Sequence, residues 1–116
     1  MPRNSRLSRA DLNAINSLTV RRFSGVYGTL AVSPLPPLCS IPRSTCVVSK
    51  KVSRRAVDRN VIKRRCREIF RTCTRGHNEP LALVFHAKKS ALDASFADLA
   101  LDIQVLSNTA FARYNR

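Results

Sequence analysis

Arg59, Lys63 and Arg67 stand four residues apart, and Asn60, Arg64 and Arg71 follow a similar rhythm farther round. Spacings of three and four mark one side of an α-helix, so a helix through these positions gathers cations along one flank. Guanidinium groups grip phosphate with paired N–H donors, and an asparagine amide both donates and accepts. A ridge of such groups follows a sugar–phosphate backbone, where it supplies position and affinity but little sequence information. Lys50, Lys51 and Arg55 lie just upstream and extend the same chemistry.

The charge is concentrated there. Residues 50–71 hold ten Lys/Arg against Asp58 and Glu68, a local excess of +8 within a net +14. A helix that only faces solvent alternates its signs to form i, i+4 pairs, and this one does not. Residues 90–112 contain no Lys or Arg but carry Asp93, Asp98 and Asp102, so one side of the protein is basic and the last helix is not. An excess of this size repels itself in the folded state and calls for a polyanionic partner, with nucleic acid the natural choice. A membrane surface fits less well, because the apolar side of the basic helix is needed for a core. No apolar run approaches the roughly 18 residues of a membrane span, and residues 1–6 have no apolar stretch behind their charges, unlike a secretory signal.

A self-sufficient nuclease needs a cluster of metal-binding carboxylates or a histidine pair. The chain has seven acids and two histidines in all. Asp58 and Glu68 are too far apart on one helix to share a metal, and His77 and His86 read as structural residues of a loop and a strand. No metal site is expected in the protein. Cys39, Cys46, Cys66 and Cys73 form no Cys-x-x-Cys pair, which points away from zinc and toward small buried apolar residues in a reducing cytosol.

Positioning the ridge requires a core behind it. On a wheel of about 100° per residue, Ile62, Cys66, Ile69, Phe70 and Cys73 fall within an arc of about 100°, which predicts a basic helix over about 54–73. Residues 23–32 read as one strand, rich in aromatic and β-branched types but loosened by Gly25 and Gly28. Residues 33–45, with Pro34, Pro36, Pro37 and Pro42, read as a Pro-rich loop. Residues 45–49 and 81–86 read as further strands. A last helix runs from Ser95 to about Ala112, where Phe96, Leu99, Ile103 and Leu106 recur at helical spacing. Ser8 can cap a short first helix, with Asp11 three residues on. At 116 residues the chain is one domain, 1–116, and the order helix, two strands, helix, strand, helix suggests an α+β two-layer sandwich, a small sheet packed by helices.

Ser49-Lys50-Lys51-Val52, followed by the run from Ala56 through Arg59-Asn60, Lys63-Arg64, Arg67-Glu68 and Phe70-Arg71, resembles the signature of the bacterial ribonuclease P protein component. Arg6-Leu7 and Arg22-Phe23-Ser24-Gly25 resemble that family's opening, and residues 83–89 resemble its last strand and the basic turn after it. Val61 departs from the family, which has Arg just after the Arg-Asn pair. The resemblance implies the family's left-handed βαβ crossover. It also implies the protein subunit of a cytoplasmic ribonucleoprotein, an endoribonuclease that hydrolyses the 5′ leader from precursor tRNA. In that family the RNA subunit performs the hydrolysis with Mg2+ held mainly by RNA, and the isolated protein is inactive. The implied partners are the RNA subunit, with one protein per RNA, and precursor tRNA. The resemblance puts the RNA contact on Lys50, Lys51, Arg55, Arg59, Asn60, Lys63, Arg64, Arg67 and Arg71. It puts a leader cleft, where the family usually has rings, at Leu12, Asn16, Tyr27 and Ala31. The second reading is a basic RNA-binding or ribosomal-type protein with no role in catalysis, and the Arg-Asn-x-x-Lys-Arg-x-x-Arg spacing favours the first.

Overall fold

The computed structural model describes residues 21–34 and 42–114. The short helix expected from Ser8, the cleft positions Leu12 and Asn16, Cys39 and the middle of the Pro-rich segment lie outside the described residues. The chain runs β1 (Arg21–Ser24), β2 (Gly28–Pro34), β3 (Arg43–Val47), α1 (Ala56–Cys73), β4 (Leu81–Ala87), a short 3-10 turn (Lys89–Leu92) and α2 (Phe96–Tyr114). The sheet order is β1-β2-β4-β3. β1–β2 and β2–β4 pair antiparallel, and β3–β4 pair parallel. Parallel neighbours need a crossover, and α1 supplies it, making β3–α1–β4 a βαβ unit.

Successive strand residues point to opposite faces. Leu30 and Val32 on β2 lie opposite Phe85 and Leu83 on β4, and Cys46 on β3 lies beside Phe85. This face carries the core. Ile62, Cys66, Ile69 and Phe70 from α1 pack into it, as do Leu99, Ile103, Leu106, Ala110 and Phe111 from α2. Both helices therefore share one face of the sheet, and the architecture is the expected α+β pair of layers.

The structure corrects the first strand. Residues 23–32 are not one strand but two, joined by a tight turn at 25–27. The cause is remote in sequence. The Asp102 carboxylate on α2 accepts the N–H groups of Val26 at 3.1 Å and Tyr27 at 2.9 Å. Lys88 Nζ donates to Ser24 Oγ and the Gly25 carbonyl, and Ser90 Oγ donates to the Val26 carbonyl. The approach is close enough that a Cβ on Gly25 would strike the Asp102 carboxylate, and one on Gly28 would strike the Phe85 ring and the His86 carbonyl. Removing the anchor tests this account. Asp102→Ala strands two N–H donors and is expected to cost about 1–2 kcal/mol, a melting temperature lower by roughly 5–10 °C. An unchanged melting temperature would mean that the turn holds itself.

The Pro-rich loop is also shorter than 33–45. β2 continues through Ser33 to Pro34, and β3 begins at Arg43, two residues before the expected start. Pro34 is tolerated because it ends its strand, where a missing N–H costs little.

Candidate nucleic-acid interface

The basic helix is held in place from below and from its N-terminus. Its buried residues, Ile62, Cys66, Ile69 and Phe70, match the expected apolar arc, with Cys73 half-buried at the end. No side chain of Arg55, the capping residue, closes the first turn. Ser53 does it instead: its hydroxyl donates to Asp58 Oδ2 at 3.0 Å and accepts from the Arg55 N–H at 3.2 Å. At the far end the Thr74 hydroxyl and N–H both donate to the Phe70 carbonyl.

Arg55, Asn60, Lys63, Arg64, Arg67 and Arg71 are exposed on α1, and Lys50 and Lys51 are exposed in the turn that leads to it. Among the described residues Lys50, Lys51, Arg55, Lys63, Arg64 and Arg67 form no ion pair. Two of the expected contact residues differ in their surroundings. Arg59 is half-buried, and its Nη1 donates to the Ser53 and Arg54 carbonyls, both at 2.9 Å. It clasps the loop before the helix and keeps its other donors for a ligand. Arg71 pairs with Glu68 one turn back. Arg65 lies off the ridge and ties α1 to the Ala94 carbonyl. Arg54, just before the helix, is exposed and likewise without an ion pair, and the local charge density is its only sequence signal.

Of the four cleft positions, Leu12 and Asn16 lie outside the described residues. Tyr27 is half-buried and packs against the helix-covered core with Phe23. Ala31 points to the opposite face and is 5% exposed, so it presents little surface. That opposite face also carries His86, paired with Thr29. Burial and then the Arg22 guanidinium push the His86 imidazole below its ordinary range, so at neutral pH it adds no charge beside the arginine.

The cysteines carry one relation that spacing did not reveal. Cys66 on α1 meets Cys46 on β3. Their hydrogen bond, followed by burial, pushes the Cys66 thiol far up, and burial alone raises Cys73. Both therefore stay protonated and poorly nucleophilic. Among the described residues no group of three or more His, Cys, Asp or Glu could hold a metal ion.

The βαβ unit thus presents an exposed cationic helix with an Arg59-Asn60 step near its start. A family model described as Ribonuclease P matches residues 1–110. The chain belongs to the ribonuclease P protein family. It is similar in fold to a Staphylococcus aureus RNase P protein with a TM-score of 0.77 and 22% identity, over 91% of this chain and 94% of that one. A mutant of the Staphylococcus aureus protein with defective mRNA degradation activity gives a TM-score of 0.79 at 22% identity, over 92% and 88%. The Thermotoga maritima RNase P protein gives 0.71 at 21%, over 89% and 96%. Comparison with curated proteins gave no match.

The family match decides between the two readings of the sequence. The ribonuclease P protein is a component of the holoenzyme that matures tRNA 5′ ends, and it works with the RNA subunit. No helix among the described residues is long and apolar enough to cross a membrane.

Proposed function

We propose that this ribonuclease P protein grips its RNA subunit along the outer flank of α1, and that the RNA, not the protein, hydrolyses the phosphodiester. The observation that carries this reading is the run of exposed cations Lys50, Lys51, Arg55, Lys63, Arg64 and Arg67, which have no ion-pair partner among the described residues. Arg59, Asn60 and Arg71 complete the contact. Each unpaired cation replaces a condensed counterion on the phosphate backbone, so binding gains the entropy of the released ions. Lys50 and Lys51 meet the strand before Arg55 and Arg59 take it up.

In this reading Mg2+ belongs to the RNA, in keeping with the lack of a ligand cluster among the described residues. Precursor tRNA is the substrate, one protein serves one RNA, and the complex works in the cytoplasm. The 5′ leader is a second RNA contact. With Ala31 buried and Tyr27 packed on the core, it relies on phosphate contacts more than on base stacking, which is worth about 1–3 kcal/mol per base where rings are available.

Reconstitution tests the division of labour. Precursor tRNA is incubated at low Mg2+ with the isolated protein, with the RNA subunit, and with both. The expected result is leader removal only with both, because the protein's cations screen repulsion between two polyanions that Mg2+ would otherwise have to screen. Cleavage at the mature 5′ end by protein free of RNA would overturn the proposal.

A further inference from the structure

Two thiols meet beneath the basic helix. Cys46 lies on β3 and Cys66 on α1. The parallel register sets Cys46 beside Phe85, on the helix-covered side of the sheet, and α1 packs across β3 on its way to β4. The crossover therefore brings together two residues 20 positions apart. The Cys66 S–H donates to the Cys46 sulfur. That contact removes the usual obstacle to a disulfide, a backbone that must move to bring its cysteines together.

The two thiols differ in access. Cys66 is 0% exposed, inside the core it shares with Ile62, Ile69 and Phe70. Cys46 is half-buried, and β3 is an edge strand with β4 on one side only. A small oxidant reaches Cys46 and not Cys66. Both are free thiols. Among the described residues the third free thiol is Cys73. It lies two helical turns beyond Cys66, roughly 10 Å along the axis, too far for a bond to it.

We infer that Cys46 and Cys66 are a site of oxidative modification, closing to a disulfide that fastens α1 to β3, with Cys46 the attacking thiol and Cys66 the resolving one. The oxidant is a small peroxide, of which hydrogen peroxide is the simplest. The Cys46 sulfur attacks one peroxide oxygen and the O–O bond breaks. The Cys46 thiol proton joins the departing hydroxide as water, and Cys46 becomes a sulfenic acid. The Cys66 sulfur then attacks the Cys46 sulfur, the S–O bond breaks, and the Cys66 proton leaves with that hydroxide as a second water. The two thiols thus give up two electrons and two protons, and one peroxide becomes two waters. Until then the hydrogen bond to Cys46 and burial keep Cys66 protonated, so it resolves the sulfenic acid instead of meeting the oxidant itself. The bond lies on the core side of α1, whereas Lys63, Arg64 and Arg67 are exposed, so the ridge stays open while its helix is fixed. Disulfides in a reducing cytosol are typically of this transient, oxidant-responsive kind.

The test treats the whole folded protein with hydrogen peroxide, blocks the remaining thiols by alkylation, and maps linked peptides by mass spectrometry without reduction. The unaltered protein is compared with Cys46→Ser, Cys39→Ser and Cys73→Ser, whose melting temperatures before oxidation check that each is folded. The expected result is one link, Cys46 to Cys66, in the unaltered protein, in Cys39→Ser and in Cys73→Ser, undone by dithiothreitol. Cys46→Ser should leave Cys66 unlinked. The oxidised protein should melt roughly 10 °C higher than the reduced one, because the cross-link restricts the unfolded chain, and Cys46→Ser should show no such rise. A Cys66 thiol that remains free, or that links to Cys39 or Cys73, would overturn the inference. So would a Cys46–Cys66 link that forms only in urea, since the folded contact would then play no part in it.

Discussion

Replacing Lys63, Arg64 and Arg67 together with Ala is expected to weaken binding of the RNA subunit roughly two-hundredfold at 0.1 M salt. Each cation that neutralises a phosphate contributes roughly 0.7–0.9 to the slope of log affinity against log salt. Three contacts therefore carry a little over two decades at 0.1 M, and the difference shrinks toward 1 M. The three side chains are exposed and without ion pairs among the described residues, so the change leaves folding alone: surface substitutions of this kind stay within about 0.5 kcal/mol. A variant with an unchanged melting temperature and a large loss of affinity is the signature of a contact surface. A loss of threefold or less would make these residues a solvated face.

The second large effect is on stability. Phe70→Ala is expected to cost about 3–5 kcal/mol, the usual range for emptying a buried aromatic site, and to lower the melting temperature by roughly 10–20 °C. Phe70 is 1% exposed and belongs to the core that α1, α2 and the sheet share. Its carbonyl also accepts the capping donors of Thr74, and that backbone contact survives the substitution. The loss is therefore packing alone. Thermal unfolding followed by circular dichroism measures it, and a shift under about 4 °C would mean that α1 is not seated on the sheet as described.

What the sequence made legible was what repeats locally. The apolar arc of Ile62, Cys66, Ile69 and Phe70 places the buried side of α1 because helical periodicity is a property of neighbouring residues. The outward ridge of Lys63, Arg64 and Arg67 follows from the same wheel. β4 was legible as a short apolar run, since it lies in the middle of the sheet, between β2 and β3.

Features set by distant partners were hidden. The break between β1 and β2 depends on Asp102, 76 positions from Val26, and the glycines at 25 and 28 hinted at it without saying which side chain fills the space. The Cys46–Cys66 contact exists only because α1 crosses back over β3. Arg59 and Arg71 stand on the basic flank as the wheel required, but their partners, the Ser53 and Arg54 carbonyls and Glu68, depend on loop path and rotamer. The family resemblance groups Tyr27 and Ala31, yet the hairpin sends one to the core and the other to the opposite face.

The central claim is that the outer flank of α1 reads RNA as a polyanion. Its most direct test is a plot of log affinity for the RNA subunit against log salt, from 50 to 400 mM, for the unaltered protein and for the Lys63, Arg64 and Arg67 triple-Ala variant. The account predicts two straight lines whose slopes differ by about 2–3, one increment of roughly 0.7–0.9 for each cation removed. Parallel lines would contradict it, because they would mean that no phosphate loses its partner when the ridge is taken away.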